Sequence, residues 1–336
     1  MPPISKPASF IIYAALLLFS FIPALAQDVV SVPVTVTDRG GKLMTGLKAQ
    51  DFTLYQDGEK QKIDFFAPKD EPFSVAILLD TSRSTFPVLK DLQNAAKDFV
   101  HHLRGQDRAM IVSVDRETQV LQPLTNDRNS LERTIQGIQI SEHSNTILRD
   151  GIAEVLRQHL QGIKGRKAVI VLTDGNDRGS LMNEPRLKEI AASSDTLIYA
   201  VFFVNVPQPR ARAARIPRAG RVRVGRRGGV IFSPGARIPR APRPRADSEP
   251  KRREKIERIE AKNERIIDYL VELSEGTGGH LYTSDVKSLK KTLGKIEEEL
   301  HKQYRLGFSP TTSKGAHTLR IEVARPDALV RARRKY

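Results

Sequence analysis

The sequence contains no cysteine. Disulfides are thereby excluded, and so is a lipid anchor on an N-terminal cysteine. A chain of 336 residues without crosslinks must hold itself together by burial, and its 39% hydrophobic and 28% charged residues give an ordinary globular balance with room for about two domains. A second absence is local. Positions 207–246 hold no Asp, Glu or Lys, but twelve Arg and seven Pro. Removing those arginines takes the formal net charge from +16 to +4, so the basicity belongs to one segment. That segment has too little apolar surface to offset the entropy of ordering, which predicts disorder for 207–246. Its sole aromatic is Phe232, so it lacks the interleaved rings of a base-stacking surface.

Long apolar runs are missing beyond the N-terminus. The run at residues 10–22, FIIYAALLLFSFI, follows Lys6 and precedes the small residues around Ala24 and Ala26. It is shorter than the ~18–20 residues a membrane span needs, and the pattern is that of an export signal cleaved after Ala26, with an uncleaved anchor as the alternative. Export without disulfides fits a bacterial periplasmic or secreted protein.

Residues 29–38, VVSVPVTVTD, alternate at period two as a half-buried strand does. Residues 51–66 read as two strands joined around Asp57-Gly58, a strong hairpin signal. From Phe73 the pattern changes. Continuous apolar strands at 74–80 (SVAILLD), 109–115, 167–174 and 196–204 alternate with helical faces such as Val88, Leu92, Ala95, Ala96, Phe99 and Leu103. Residues 118–124 follow their predecessor after so short a turn that they should run antiparallel. The expected fold is α/β: a doubly wound, mostly parallel sheet with helices on both faces. After the Arg/Pro segment a helix resumes, followed by a short strand, a final helix and three alternating strands. The organisation expected is a signal at 1–26, a β segment at 27–70 and the α/β domain at 71–284, interrupted at 207–246. A helix and β segment at 285–336 would pair with 27–70 as a small β-sandwich.

Chemistry concentrates where the first buried strand ends. There Asp80-Thr81-Ser82-Arg83-Ser84 places an acid and hydroxyls on a loop before a helix, and Asp174 ends a second parallel strand in VLTDGND. Ligands of open α/β sheets bind outside the carboxyl ends of the strands. These are hard oxygen donors with no His or Cys beside them. That suits Mg²⁺, with Mn²⁺ or Ca²⁺ as alternatives, and disfavours Zn²⁺. In isolation, Asp and Ser at a strand-to-helix loop are also ordinary capping residues.

DTSRS after an apolar strand, the Thr of SNTILRDGI and VLTDGND together resemble the von Willebrand factor A domain and its metal-ion-dependent adhesion site. The resemblance spans about residues 73–279. The flanks resemble exported bacterial proteins of acidobacterial type that carry this domain. It implies that Ser82 and Ser84 bind a divalent cation through hydroxyls, with Asp80 holding it directly or through water. Thr146 would supply a third hydroxyl, and Asp174 would act through a bridging water, with Asp177 as an additional candidate. It also implies an open coordination position filled by a Glu or Asp of a protein partner. The Arg/Pro segment has no counterpart in that pattern.

The function expected is therefore an exported, metal-dependent, protein-binding module and not an enzyme. An alternative is binding of an acidic polysaccharide, lipopolysaccharide or nucleic acid through Arg210, Arg212, Arg221, Arg223, Arg226 and Arg227, since arginine-rich arms gain affinity by releasing counterions. A hydrolase is disfavoured. No Gly-x-Ser-x-Gly elbow occurs, the seven His form no metal-ligand spacing, and no motif in the sequence nominates the base that a hydrolytic metal site needs beside its water. The partner's identity and the oligomeric state are not encoded in any motif.

Overall fold

The structure is a computed structural model, and it describes residues 29–67, 71–142, 145–203, 248–310 and 315–336. The N-terminal segment expected to be an export signal and the arginine-rich segment, including Arg210, Arg212, Arg221, Arg223, Arg226 and Arg227, lie outside the described residues.

The chain opens with β1 (Val30–Thr37), the hairpin strands β2 (Phe52–Gln56) and β3 (Glu59–Gln61), and β4 (Phe65–Ala67). Asp57 and Gly58 of the hairpin turn both adopt positive φ, the conformation a tight strand-matching turn demands. The alternating unit follows: β5 (Phe73–Asp80), α1 (Leu89–His102), β6 (Arg108–Val114), β7 (Thr118–Thr125), α2 (Arg128–Gly137), α3 (Leu148–Glu154), β8 (Arg166–Thr173), α4 (Glu184–Ser193), β9 (Thr196–Phe203), α5 (Ser248–Gly276), β10 (His280–Ser284) and α6 (Leu289–Lys302). The chain closes with β11 (Tyr304–Phe308), β12 (Leu319–Val323) and β13 (Leu329–Ala332).

The central sheet has the order β10-β9-β8-β5-β6-β7, parallel throughout except for β7, which pairs antiparallel with β6. Strands β5, β8 and β9 are buried along their whole length, as their unbroken apolar sequences require of strands covered on both faces. Period two divides their side chains between two cores. Val75, Ile77 and Leu79 join Ile170 and Leu172 beneath α1, α2 and α6. Ala76 and Leu78 join Val169 and Val171 beneath α3 and α4.

The remaining strands build two further sheets, β13-β1-β11-β4 and β12-β2-β3. Strand β1 lies between two strands from the far end of the sequence, and β2 pairs with β12, so neither terminal half forms a sheet alone. Val32, Val34, Leu54, Leu306 and Phe308 share their common core. One boundary differs from the expectation. Helix α6 falls in the 285–336 segment expected to join the terminal sandwich, but Leu289, Leu293, Ile296 and Leu300 pack into the α/β core against α1. An apolar helical stripe needs an open sheet face, and the small sandwich has already closed its own.

Glu299 of α6 ties the two units together. Buried to 3% exposure, it accepts hydrogen bonds from Tyr199 Oη at 2.7 Å and Thr35 Oγ1 at 3.1 Å, and pairs with Arg331 at 2.5 Å. Burial, with the charge of Glu299 beside it, pushes the Tyr199 phenol well above its usual range, so it remains a donor.

Candidate metal centre

The switch point of the sheet lies at β5, because the chain leaves it for β6 on one side and later returns to β8 on the other. Such a crevice, outside the strand carboxyl ends, is where open α/β sheets place ligands. Asp80 is the last residue of β5 and is 1% exposed. Its Oδ1 accepts the Ser82 amide at 3.0 Å, and its Oδ2 accepts Thr173 Oγ1, from the end of the neighbouring β8, at 3.0 Å. Burial, reinforced by the charge of Asp174, pushes the Asp80 carboxyl up to about 6 against the opposing pull of those hydrogen bonds.

Thr85 shapes the loop by donating to the carbonyls of Asp80 at 2.9 Å and Ser82 at 2.8 Å. The turn thus closed, Arg83–Val88, leads directly into α1. Ser82 occupies the position before this turn, yet its side chain makes no capping hydrogen bond. Its Oγ instead lies 3.0 Å from Ser84 Oγ. Two hydroxyls side by side at the mouth of a buried carboxylate are a cluster of oxygen donors, not a helix cap.

Backbone hydrogen bonds gather the other loops. The Thr81 amide bonds Val114 O at the end of β6, and Ile147 N bonds Asp115 O one residue on. This places Thr146 beside the end of the strand that pairs with Asp80. The Thr146 carbonyl in turn accepts the amides of Arg178 and Gly179, from the loop after β8. Thr146 is fully buried, and its Oγ1 has no hydrogen-bond partner among the described residues. Unpartnered buried hydroxyls are uncommon because each forfeits its hydration, so this one calls for an explanation. Helix α3 starts from Ile147 as its cap, without a side-chain capping bond, so Thr146 does not serve that end.

Asp174 is half-buried, and its Oδ1 accepts the amide of Asn176 at 3.1 Å. Gly175 beside it has φ of +73°, and a Cβ there would overlap Ile266 of α5. A positive φ and the close approach of α5 both require glycine at this point of the loop.

Asp177 is engaged elsewhere. Its Oδ2 accepts Arg149 N at 2.9 Å and Ser180 Oγ at 2.7 Å, and its Oδ1 accepts Ser180 N at 3.2 Å. It thus serves the first turn of α3, where a carboxylate complements the free amides of a helix start. Asp150 reciprocates by accepting the amides of Leu181 and Met182.

The set brought together at the switch point is Asp80, Ser82, Ser84 and, through the loop bonds, Thr146 and Asp174. Sequence reading missed Thr173 and Thr85, which hold the Asp80 carboxylate and its loop in place. The available signal was a β-branched hydroxyl at the end of one apolar strand and another closing the DTSRST turn. Among the described residues no three His, Cys, Asp or Glu side chains cluster as a metal site. The donors here are instead two carboxylates with three hydroxyls. An all-oxygen set of this kind, with a crowded buried carboxylate and a hydroxyl lacking any partner, fits a hard divalent cation.

Residues 75–176 match the family model of the von Willebrand factor type A domain, a span running from β5 through the Asp174 loop. No curated protein matches the chain. Among solved structures, proximal thread matrix protein 1 from the mussel byssus, in a form described as having a zinc-occupied MIDAS motif, aligns at 14% identity and a TM-score of 0.47, covering 72% of this chain and 48% of that one. The conserved hypothetical protein BatB of Bacteroides thetaiotaomicron aligns at 18% identity and a TM-score of 0.43, covering 68% of this chain and 97% of that one. An aerotolerance-related membrane protein of Bacteroides fragilis aligns at 15% identity and a TM-score of 0.42, covering 68% and 99%. The chain spans about half the length of the mussel protein. The matched segment carries β5, the DTSRS loop, Thr146 and Asp174, so residues 75–176 of this chain are a von Willebrand factor type A domain by their family match.

Proposed function

We propose that this chain is a metal-dependent protein-binding module that grips an acidic side chain of its ligand through a divalent cation. Ser82, Ser84 and Thr146 would contribute hydroxyls, Asp80 would hold the cation directly or through water, and Asp174 would act through a bridging water. One position of the shell is then left for a Glu or Asp of the partner. The observation that carries this reading is the Thr146 hydroxyl, fully buried and without a partner among the described residues, on a loop tied to the end of the strand that pairs with Asp80, whose carboxylate is crowded by that of Asp174. A cation supplies what both groups lack. Mg²⁺ is the preferred ion because every donor is oxygen, with Mn²⁺ and Ca²⁺ as alternatives.

The reading is of a binding module and not a hydrolase, because the Asp80 carboxylate is held by an amide and a hydroxyl, and the hydrogen bonds of the described histidines lie in other parts of the fold. The apolar N-terminal run with its small-residue site supports export to a bacterial envelope compartment. Among the described residues no helix is long and apolar enough to cross a membrane.

The test is capture of ligands from envelope extract with Mg²⁺ and with EDTA, using wild type and Asp80→Ala. Capture should require both the cation and Asp80, and titration calorimetry on chelator-stripped protein should register Mg²⁺ uptake that Asp80→Ala loses. Stripped wild type that takes up no Mg²⁺, Mn²⁺ or Ca²⁺ overturns the proposal.

A further inference from the structure

A cleft of about 250 Å³ lies between α5, the start of α3 and the loop after β8. Its walls are continuous with the metal centre: Leu148 stands two residues from Thr146, and Asn176 two residues from Asp174. Two residues of chain reach at most ~7 Å, so the lip of the cleft begins within one side chain's length of the proposed donors.

Arg149, Arg178, Lys262 and Arg265 line this cleft, against two acids, Asp177 and Glu184. Both acids are spent on one cation, lying 3.6 Å and 3.9 Å from the Arg149 guanidinium. Lys262 Nζ meets only the neutral Asn176 Oδ1, at 2.5 Å. Arg178 and Arg265 are exposed and have no acidic partner among the described residues. Deeper in the cleft the Tyr269 Oη is buried without a hydrogen-bond partner. Burial raises its pKa well above the usual phenol range, so it offers a proton to an acceptor and no negative charge. Surplus cations around an unused O–H donor describe the inverse of a carboxylate.

We infer that this cleft is a second acidic subsite, which takes a carboxylate side chain of the same ligand whose first carboxylate reaches the metal. In an extended peptide, side chains two residues apart point the same way and lie ~6.6 Å apart, matching the short step between centre and cleft. The partner is therefore an extended acidic segment of the form Asp/Glu-x-Asp/Glu. One carboxylate meets the cation; the other pairs with Arg178, Lys262 and Arg265 and accepts from Tyr269. This inference rests on the proposed metal-dependent reading for its first carboxylate alone.

The test uses the full chain and calorimetric titration of capped glycine heptapeptides carrying either one glutamate or two glutamates separated by one residue. In Mg²⁺ the two-glutamate peptide should bind wild type about tenfold more tightly, the scale of one hydrogen-bonded charge. The double variant Arg178→Glu/Arg265→Glu, altered only at exposed positions, should lose that preference while keeping Mg²⁺ uptake. Tyr269→Phe should reduce the preference by about fivefold, the scale of one neutral hydrogen bond. Equal binding of the two peptides to wild type, or an unchanged preference in the double variant, overturns the subsite. If EDTA and Asp80→Ala leave both peptides binding as before while the double variant weakens the two-glutamate peptide, the cleft stands and the metal reading falls.

Discussion

Replacing Thr146 by valine removes one hydroxyl and keeps the shape of the side chain. In the fold described here that hydroxyl is fully buried and unpartnered. An unsatisfied buried hydroxyl costs about 1–3 kcal/mol relative to an apolar group of the same shape. In EDTA, then, Thr146→Val should be more stable than wild type by about that amount, or a rise in Tm of about 2–4 °C per kcal/mol for a domain of ordinary size. With Mg²⁺ that advantage should shrink. A ligand that binds only the folded state adds about 2.7 kcal/mol at a hundred times its dissociation constant, and a variant lacking one donor forfeits part of that gain. Paired thermal melts of both proteins, in EDTA and in a Mg²⁺ series, read the narrowing gap directly. A valine variant that is less stable in EDTA would show that the hydroxyl has a structural role in the metal-free fold. Equal Mg²⁺ stabilisation of the two proteins would show that it is no ligand. Either result refutes the reasoning.

Glu299→Gln should uncouple the terminal sandwich from the α/β unit, leaving the Arg331 guanidinium without its counter-ion. Breaking a buried pair costs about 3–5 kcal/mol, and the partly exposed Arg331 puts the expectation near the lower end, checked by urea unfolding. His301, 3% exposed, lies between Asp107 at 2.8 Å and Glu297 at 2.7 Å. Burial acts against its charge, but the hydrogen bonds to those carboxylates prevail and raise its pKa above 6.5. Its contribution is fully present below pH ~6.5 and lost as pH rises through the raised folded value, so Tm should fall as pH rises from ~6.5 through that value. His301→Gln should flatten that slope, and a wild-type Tm constant from pH 6 to 9 would contradict the assignment.

The α/β sheet was legible because each buried strand is a continuous apolar run and each helix carries a periodic stripe. Val75–Leu79 and Ala168–Leu172 declare themselves by local composition. The DTSRS loop and Asp174 were legible for the same reason, since their position at the ends of those strands needs no knowledge of what packs against them. Alternation likewise marked the terminal strands, and two incomplete β halves in one chain could find hydrogen-bond partners only in each other.

Distance in space decided the rest. Thr173 and Thr85 look in sequence like any hydroxyl ending a strand or turn, and only the parallel register of β5 with β8 puts Thr173 Oγ1 on the Asp80 carboxylate. Asp177 and Asp174 stand three residues apart with the same chemistry, yet the fold presents one to the start of α3 and leaves the other at the switch point. Helix α6 bears a stripe that fits any apolar surface, and the choice of the α/β core followed from which surface was still open. The cationic cleft assembles from α3, α5 and the loop after β8, segments separated by up to a hundred residues. A sequence sets each side chain's charge and hydrogen-bonding capacity; which of those capacities go unmatched is settled when the whole chain has packed.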